Sequence, residues 1–316
     1  MTIEASTTTP TLLLIDGDVV AFKAAAACEY VQEDWTYKWL TKTANLNLGE
    51  AIVDNIITGL KASFQTNSIK VFLSDRENNW RKLIYPEYKA NRSNSQRPLA
   101  LDHLKDYILE QYETTVEPWL EADDLLGITA TAPDTKLSGE LRPIRVICGV
   151  DKDFKTIPAY QHTLGDYING DTSKPRISGI TPQLADQWHM RQTLSGDAVD
   201  NYPGCPGIGV ARADAIVEDP QLLVPQSGKI TRGPRKGQST TAWKAQPTRN
   251  LEAAVQSNFA KAGTPETFLT MARIARILRH GEYSFGDKKV KLWSPHGTPF
   301  SSLEYLQLPM KGDGDE

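Results

Sequence analysis

Cysteine is scarce in this chain. Cys28, Cys148 and Cys205 are the only three in 316 residues, an odd number with no C-x-x-C spacing. That excludes a disulfide framework and a zinc–thiolate site, and it fits a reducing compartment. The five histidines include no pair at i, i+3 or i+4, which removes a zincin-type helix motif. No apolar run approaches the roughly 20 residues of a membrane helix, and mean hydropathy is -0.42. The start, MTIEASTTTP, has no basic region followed by an apolar one, so it reads as a frayed leader rather than a secretory signal. GDGDE at the other end reads as a loose tail. A basic excess is also lacking: 35 Lys and Arg face 39 Asp and Glu, a net charge of -4, whereas nucleic-acid binders usually read basic. What remains is a soluble, cytoplasmic protein without a membrane partner, long enough for two domains or one large one.

Three apolar runs suit buried strands: TLLLIDGD (11–18), IKVFLSD (69–75) and IRVICGVDKD (144–153). Helical periods occupy 51–63, 98–112, EADDLLGITATA, 182–195, 206–217 and FLTMARIARILRH. TTVEPWL is a short extended piece, and KKVKLW reads as a short strand. The alternation implies an α/β fold with an open, mostly parallel sheet covered by helices on both faces. Sites in such sheets lie outside the carboxyl ends of the strands.

All three strands end in acids at that edge. Asp16, Asp18, Asp75, Glu121, Asp123, Asp124, Asp151, Asp153, Asp197 and Asp200 make ten acids at five places. Converging carboxylates cannot all ionise without cations. Hard divalent ions with oxygen ligands, Mg²⁺ or Mn²⁺, are the natural partners, and two of them would suit in-line attack on a phosphodiester. The bland alternative is that each acid caps a helix or faces solvent. Setting the ten aside leaves 29 acids against 35 bases, so an acidic total is compatible with phosphate binding.

NWRKLIYPEYKANRSNSQR (79–97) interleaves Arg81, Lys82, Lys89, Arg92 and Arg97 with Trp80, Tyr85 and Tyr88. Such a segment can neutralise phosphates and stack on unpaired bases, or it is an ordinary solvated loop. PGCPGIGVARADAIV (203–217) places Gly207, Ile208 and Gly209 before a helix, where backbone N–H groups can hold a phosphate; a packing corner would look the same. Residues 220–250 carry Lys229, Arg232, Arg235, Lys236, Lys244 and Arg249 without one acid. Their Gly, Pro, Ser and Thr content predicts a poorly packed basic insertion that tracks duplex DNA.

In order, DGD, SD…WR…PEYKANR, EADD, DKD, GDAVDN and GIG resemble the 5′-nuclease superfamily of flap endonucleases and phage 5′→3′ exonucleases. The likeness is greatest to the enzymes of short-tailed bacteriophages, through NWRK, YKANR, DKDFKTIP and MARIARILR, and runs from about residue 11 to 295. It implies a PIN-like sheet with a helical arch (76–110) in an α/β domain spanning 11–180. A helix–hairpin–helix subdomain would span 181–300. It further implies a first metal cluster of Asp16, Asp75, Glu121, Asp123 and Asp124, and a second of Asp151, Asp153, Asp197 and Asp200. Asp18 is an additional candidate ligand that many relatives lack. Lys89 and Arg92 would contact the reacting phosphate, Arg81 would stand at the base of the arch, and Tyr88 would touch DNA. The hairpin 207–209 would bind duplex phosphates with a K⁺ ion. The implied substrates are duplex DNA with 5′ ends or flaps and RNA/DNA hybrids, in phage replication and host DNA degradation. A single-stranded-DNA-binding protein or replisome is the implied protein partner, in the host cytoplasm.

Two other readings compete. LLLIDGD matches the start of haloacid-dehalogenase-type phosphatases, whose first Asp is a nucleophile, but EADD then has no role and small phosphomonoesters need no basic 79–97 segment. A non-catalytic nucleic-acid clamp would show gaps in the acid set, and there are none.

Overall fold

The computed structural model describes residues 2–3, 11–36, 39–94, 96–133, 143–165 and 176–309. Its centre is a seven-stranded sheet ordered β1-β9-β8-β7-β2-β5-β6. β2 (Thr11–Asp16), β5 (Ile69–Leu73), β6 (Thr114–Val116), β7 (Ile144–Gly149) and β8 (Tyr160–Thr163) run parallel. β9 (Ile177–Gly179) and β1 (Thr2–Ile3) close one edge antiparallel. The mostly parallel α/β sheet expected from the sequence is therefore present. The leader is not wholly frayed, because Thr2 pairs with Ser178 and Ile3 with Ile177. The GDGDE tail lies outside the described residues.

Alternation along the strands explains the layers. Leu13 and Ile15 face α1 (Gly17–Ala27), α2 (Leu46–Phe64) and α4 (Leu101–Gln111). Leu12 and Leu14 face α5 (Ala122–Ala130) and the chain around Ile277 and Val290. Val71/Phe72 on β5 and Val146/Ile147 on β7 split the same way. A strand apolar on both faces must be covered twice, at about 1.5–3 kcal/mol for each fully buried side chain. That burial fixes the polar edge where the strands end.

A third core joins α6 (Pro182–Ser195), α7 (Val210–Glu218), α8 (Leu251–Ala262) and α9 (Thr267–Ala275) through Leu194, Val255, Phe259, Phe268 and Ala272. Thr181 caps α6 by accepting from Leu184 N, with Pro182 in the first turn. The helix ends at Gly196, φ +65; a Cβ there would stand 2.4 Å from Tyr202 O, and one on Gly204 2.3 Å from Gly196 N. Only glycine lets the chain cross itself so closely, and the crossing ties off the loop that carries Asp197 and Asp200.

Several expectations need correcting. The 76–110 segment holds α3 (Arg81–Ile84), a 3₁₀ turn at Ala90–Asn94, and α4. Pro86 forces Tyr85 out of the helical region, to φ -149 and ψ 91, which stops α3. The helix predicted over 268–280 ends at Ala275, because Arg276 O and Leu278 N are engaged by Arg81 and Asp124. Residues 220–250 are not an open loop but an antiparallel hairpin, β10 (Gln221–Lys229) and β11 (Ser239–Pro247). A second hairpin, β3 (Glu29–Asp34) and β4 (Trp39–Ala44), separates α1 from α2. KKVKLW supplies β13 (Lys289–Lys291), between β12 (Tyr283–Ser284) and β14 (Tyr305–Gln307). Among the described residues no helix is long and apolar enough to cross a membrane.

Candidate metal and nucleic-acid site

The acids are delivered by the ends of β2, β5 and β7, the start of α5 and the loop after α6. A Cβ on Gly17 would lie 2.7 Å from Val71 Cγ1 and 2.8 Å from Phe72 O. Glycine between Asp16 and Asp18 thus lets α1 start flush against β5. Asp16, 6% exposed, caps that helix by accepting from Val19 N at 3.2 Å. Asp151 caps the next 3₁₀ turn, accepting from Asp153 N at 2.7 Å. Glu121 and Asp123 flank the first residue of α5.

Basic groups converge on part of this edge. Lys89 Nζ pairs with Glu121 and lies 3.7 Å from Asp200. Arg92 reaches Asp200 at 2.6 Å, and Lys152 reaches Asp197 at 2.7 Å. Lys89 has a left-handed backbone, φ +56, and its N–H donates to Asp200 O at 2.9 Å. Positive φ at a lysine costs energy and persists only where surroundings enforce it; here the 196–204 loop does so. Burial would raise the Glu121 carboxyl, but Lys89 and Arg81 outweigh it and hold it at about 2. Burial would lower the Lys89 ammonium, but Glu121 and Asp200 raise it.

Three other acids are raised instead. Burial, then Asp18 and Asp151, lifts Asp16 to about 7. Burial, then Asp151, lifts Asp153 to about 7 against the pull of Lys152. Asp123 is raised well above the usual range by burial and by Asp16, Asp151 and Glu121. Asp151 therefore electrically links an inner group with Asp16 and Asp123 to an outer one with Asp153. Among the described residues no three acids form a ready coordination shell. The donor set nevertheless fits hard divalent ions: every group is a carboxylate oxygen, and burial with mutual repulsion raises three of them, a cost that a cation would relieve.

Four sequence-stated roles change with the geometry. Arg81, 2% exposed, does not face the cleft as a catalytic group. Its Nε donates to Ile274 O at 3.0 Å, Nη1 to Asp124 and Glu121 at 2.8 and 3.0 Å, and Nη2 to Asp124 and Arg276 O at 2.7 and 2.6 Å. Asp124, 0% exposed, is taken up by Arg81 inside the core; it also accepts from Trp80 Nε1 at 2.9 Å and Leu278 N at 3.1 Å. Tyr88 is buried rather than free to stack on DNA, its hydroxyl 3.0 Å from both Glu121 and Asp200, with one proton shared between them. Asp18 accepts from Ser74 N at 3.2 Å and pairs with Lys105 at 2.7 Å, tying α1 to β5 and α4. Asp75 accepts from Glu77 N at 3.0 Å and Trp119 N at 2.8 Å, so its orientation is set by the turns on either side.

Gly207, φ +75, and Gly209, the cap of α7, have nothing within 4 Å of a built Cβ, so the backbone of this turn faces open space. The Ile208 side chain points the other way, 7% exposed in the helical core. Arg232, Arg235 and Lys236 are exposed at the tip of the β10–β11 hairpin. Sequence reasoning missed Lys152, Lys105 and Gln192, whose Nε2 donates to Asp153 at 2.6 Å. Lys152 was findable, standing between the two acids of DKD; the other two come from remote helices and left no local signal.

The geometry has a family behind it. Residues 11–173 match the model of the 5′-3′ exonuclease N-terminal resolvase-like domain. The chain is 33% identical over 294 residues to the exodeoxyribonuclease of Enterobacteria phage T3, covering 90% of this chain and 93% of that protein. The exonuclease of Escherichia phage T7 gives the same identity and coverage. A solved structure of the bacteriophage T5 flap endonuclease, a pseudo-enzyme–product complex with DNA and metal ions, is 17% identical. It covers 84% of this chain and 93% of that chain, with TM-score 0.47. The chain belongs to the 5′-3′ exonuclease family. It is accordingly a nuclease, a phosphodiester hydrolase.

Proposed function

We propose that the protein is a divalent-metal-dependent 5′→3′ exonuclease with flap-endonuclease-type chemistry. Its substrates are duplex DNA with 5′ ends or flaps and RNA/DNA hybrids. One observation carries the reading: the carboxyls of Asp16, Asp123 and Asp153, buried or half-buried at one sheet edge, are raised by burial and by neighbouring acids more than nearby lysines lower them, beside a row of arginine and lysine. Asp16, Asp75, Glu121 and Asp123 would hold one Mg²⁺ or Mn²⁺ ion, and Asp151, Asp153, Asp197 and Asp200 the second. Bound ions would neutralise the scissile phosphate and lower the barrier to in-line attack by water. Lys89 and Arg92 meet the phosphate and stabilise its developing charge. Tyr88 and Arg81 hold Glu121 in place, and the open 207–209 turn receives duplex phosphate, with K⁺ as its companion ion. On this reading 11–180 forms the catalytic domain and 181–300 the DNA-binding subdomain. Primer removal and host DNA degradation in the host cytoplasm, alongside a single-stranded-DNA-binding protein or replisome, follow from the same assignment.

The test is digestion of one duplex labelled at the 5′ or the 3′ end, with Mg²⁺ and with EDTA. The reading expects early release of short 5′-labelled products with Mg²⁺ only. Release from the 3′ label first, or equal digestion in EDTA, overturns it.

A further inference from the structure

The β10–β11 hairpin belongs to neither the central sheet nor the helical core. β10 and β11 pair without interruption from Gln221↔Pro247 to Lys229↔Ser239. The root is fixed: Leu223 N donates to Ser257 Oγ on α8 at 3.0 Å, and Thr248 N to Pro220 O at 3.1 Å. Beyond Val224 the ribbon leaves the body. Residues 225–229 and 239–247 are exposed on both faces except Trp243, which is half-buried. Its outer pairs, Ser227↔Thr241 and Gly228↔Thr240, are small and polar. Beyond its apolar root the ribbon buries little, and a two-stranded ribbon alone is marginal in water, so packing does not explain its length.

The tip is nonetheless built. Ile230 N donates to Gln238 O at 2.9 Å, Gly237 N to Ile230 O at 2.8 Å, and Lys236 N to Gly233 O at 3.0 Å. Gly233 and Gly237 supply the positive φ, +80 and +88, that closes the loop. This places Lys229, Arg232, Arg235 and Lys236 together at the far end, with no acid anywhere from 220 to 250. These four side chains are exposed, and among the described residues none of them is in an ion pair. The element is attached at the right place, since α7 begins at the open 207–209 turn and runs directly into the hairpin root.

We propose that this ribbon is a rigid arm that grips duplex DNA remote from the 5′ end, its tip contacting backbone phosphates. The inference rests on the nuclease reading for its substrate and adds a distance. Nine antiparallel residues at about 3.4 Å each reach about 30 Å. At about 3.4 Å per base pair that is about nine base pairs beyond the root. Six cations without an acid suit a polyanion, and a two-stranded β-ribbon is an element a DNA groove admits.

The test uses the full chain, in EDTA so that no cleavage occurs, with fluorescent blunt duplexes of about 8, 14, 20 and 30 base pairs. Each phosphate contact contributes about -0.9 to the slope of log K against log salt. For wild type, affinity should climb steeply between the 8- and 20-base-pair duplexes and then level off. Combined R232A/R235A/K236A should flatten the slope on the 20-base-pair duplex by roughly two to three units. It should also bind that duplex at least tenfold more weakly while losing most of the dependence on length. A second variant with residues 226–242 replaced by Asn-Gly should behave the same way. If it fails to fold, the solvent-exposed charge variant still decides. An unchanged salt slope and unchanged length dependence in R232A/R235A/K236A overturn the proposal. Because binding is read without metal, an arm that grips DNA in a protein that cuts none would fault the nuclease reading and leave the arm standing.

Discussion

At the sheet edge, charge of both signs is crowded and half-buried; at the hairpin tip, charge of one sign is solvated. The difference predicts how each region acts. In the cleft, burial and near neighbours move carboxyls as far as about 7 or down to about 2. A single charge removed there changes the state of several others. At the tip, Arg232, Arg235 and Lys236 have no acidic neighbour, and each acts as an independent, salt-screened point charge. Cleft substitutions should therefore appear in the chemical step or in stability, and tip substitutions in binding and its salt dependence.

The hardest break of that contrast is D151A/D153A. These acids join the inner and outer groups, and their loss should abolish cleavage while DNA binding is kept or tightened, because two charges that repel phosphate are gone. Near wild-type cutting by the double variant would remove the cleft from the chemistry. Next is Arg81→Ala, which leaves the Asp124 carboxyl buried without its partner. Breaking such a pair costs about 3–5 kcal/mol, which should lower the unfolding midpoint by roughly 10 °C. If activity falls with an unchanged midpoint, Arg81 acts on substrate rather than through the fold. Smaller is Lys89→Ala. It removes a contact to the developing charge worth about 2.7–4 kcal/mol and should lower kcat tenfold or more. A change confined to KM would make Lys89 a binding contact of the same kind as the tip residues.

The contrast also marks what could be read from the chain alone. β2, β5 and β7 were legible because apolar, β-branched runs end in acids, and a doubly buried strand has few other ways to look. Both hairpins were not, because their apolar residues (Tyr30, Val31, Leu40, Leu222, Leu223, Val224, Trp243) fall in short runs rather than alternating, and none of them is fully buried. The Arg81–Asp124 pair was misread for a related reason. Charged residues beside a motif suggest solvent or substrate, and only the return of residues 274–278 across α5 buries them. Gly127 permits that return: a Cβ there would stand 2.3 Å from Leu278 O. Such a contact spans about half the chain and leaves no local pattern.

The most direct measurement for the cleft is a calorimetric titration of Mg²⁺ into metal-free protein between about pH 5.5 and 8.5, repeated in buffers of different ionisation enthalpy. Asp16 and Asp153 sit at about 7 in the folded protein against 3.8 for the ordinary group. Their contribution to the metal-free fold is complete below about pH 3.8 and is lost as pH rises through about 7. An incoming cation must displace those protons where they are still held. The account predicts saturable Mg²⁺ binding that releases protons near pH 6, releases fewer above pH 8, and is lost or severely weakened in D151A/D153A. Absence of Mg²⁺ binding at millimolar concentration, or binding with no proton release at pH 6 that survives in D151A/D153A, would contradict it.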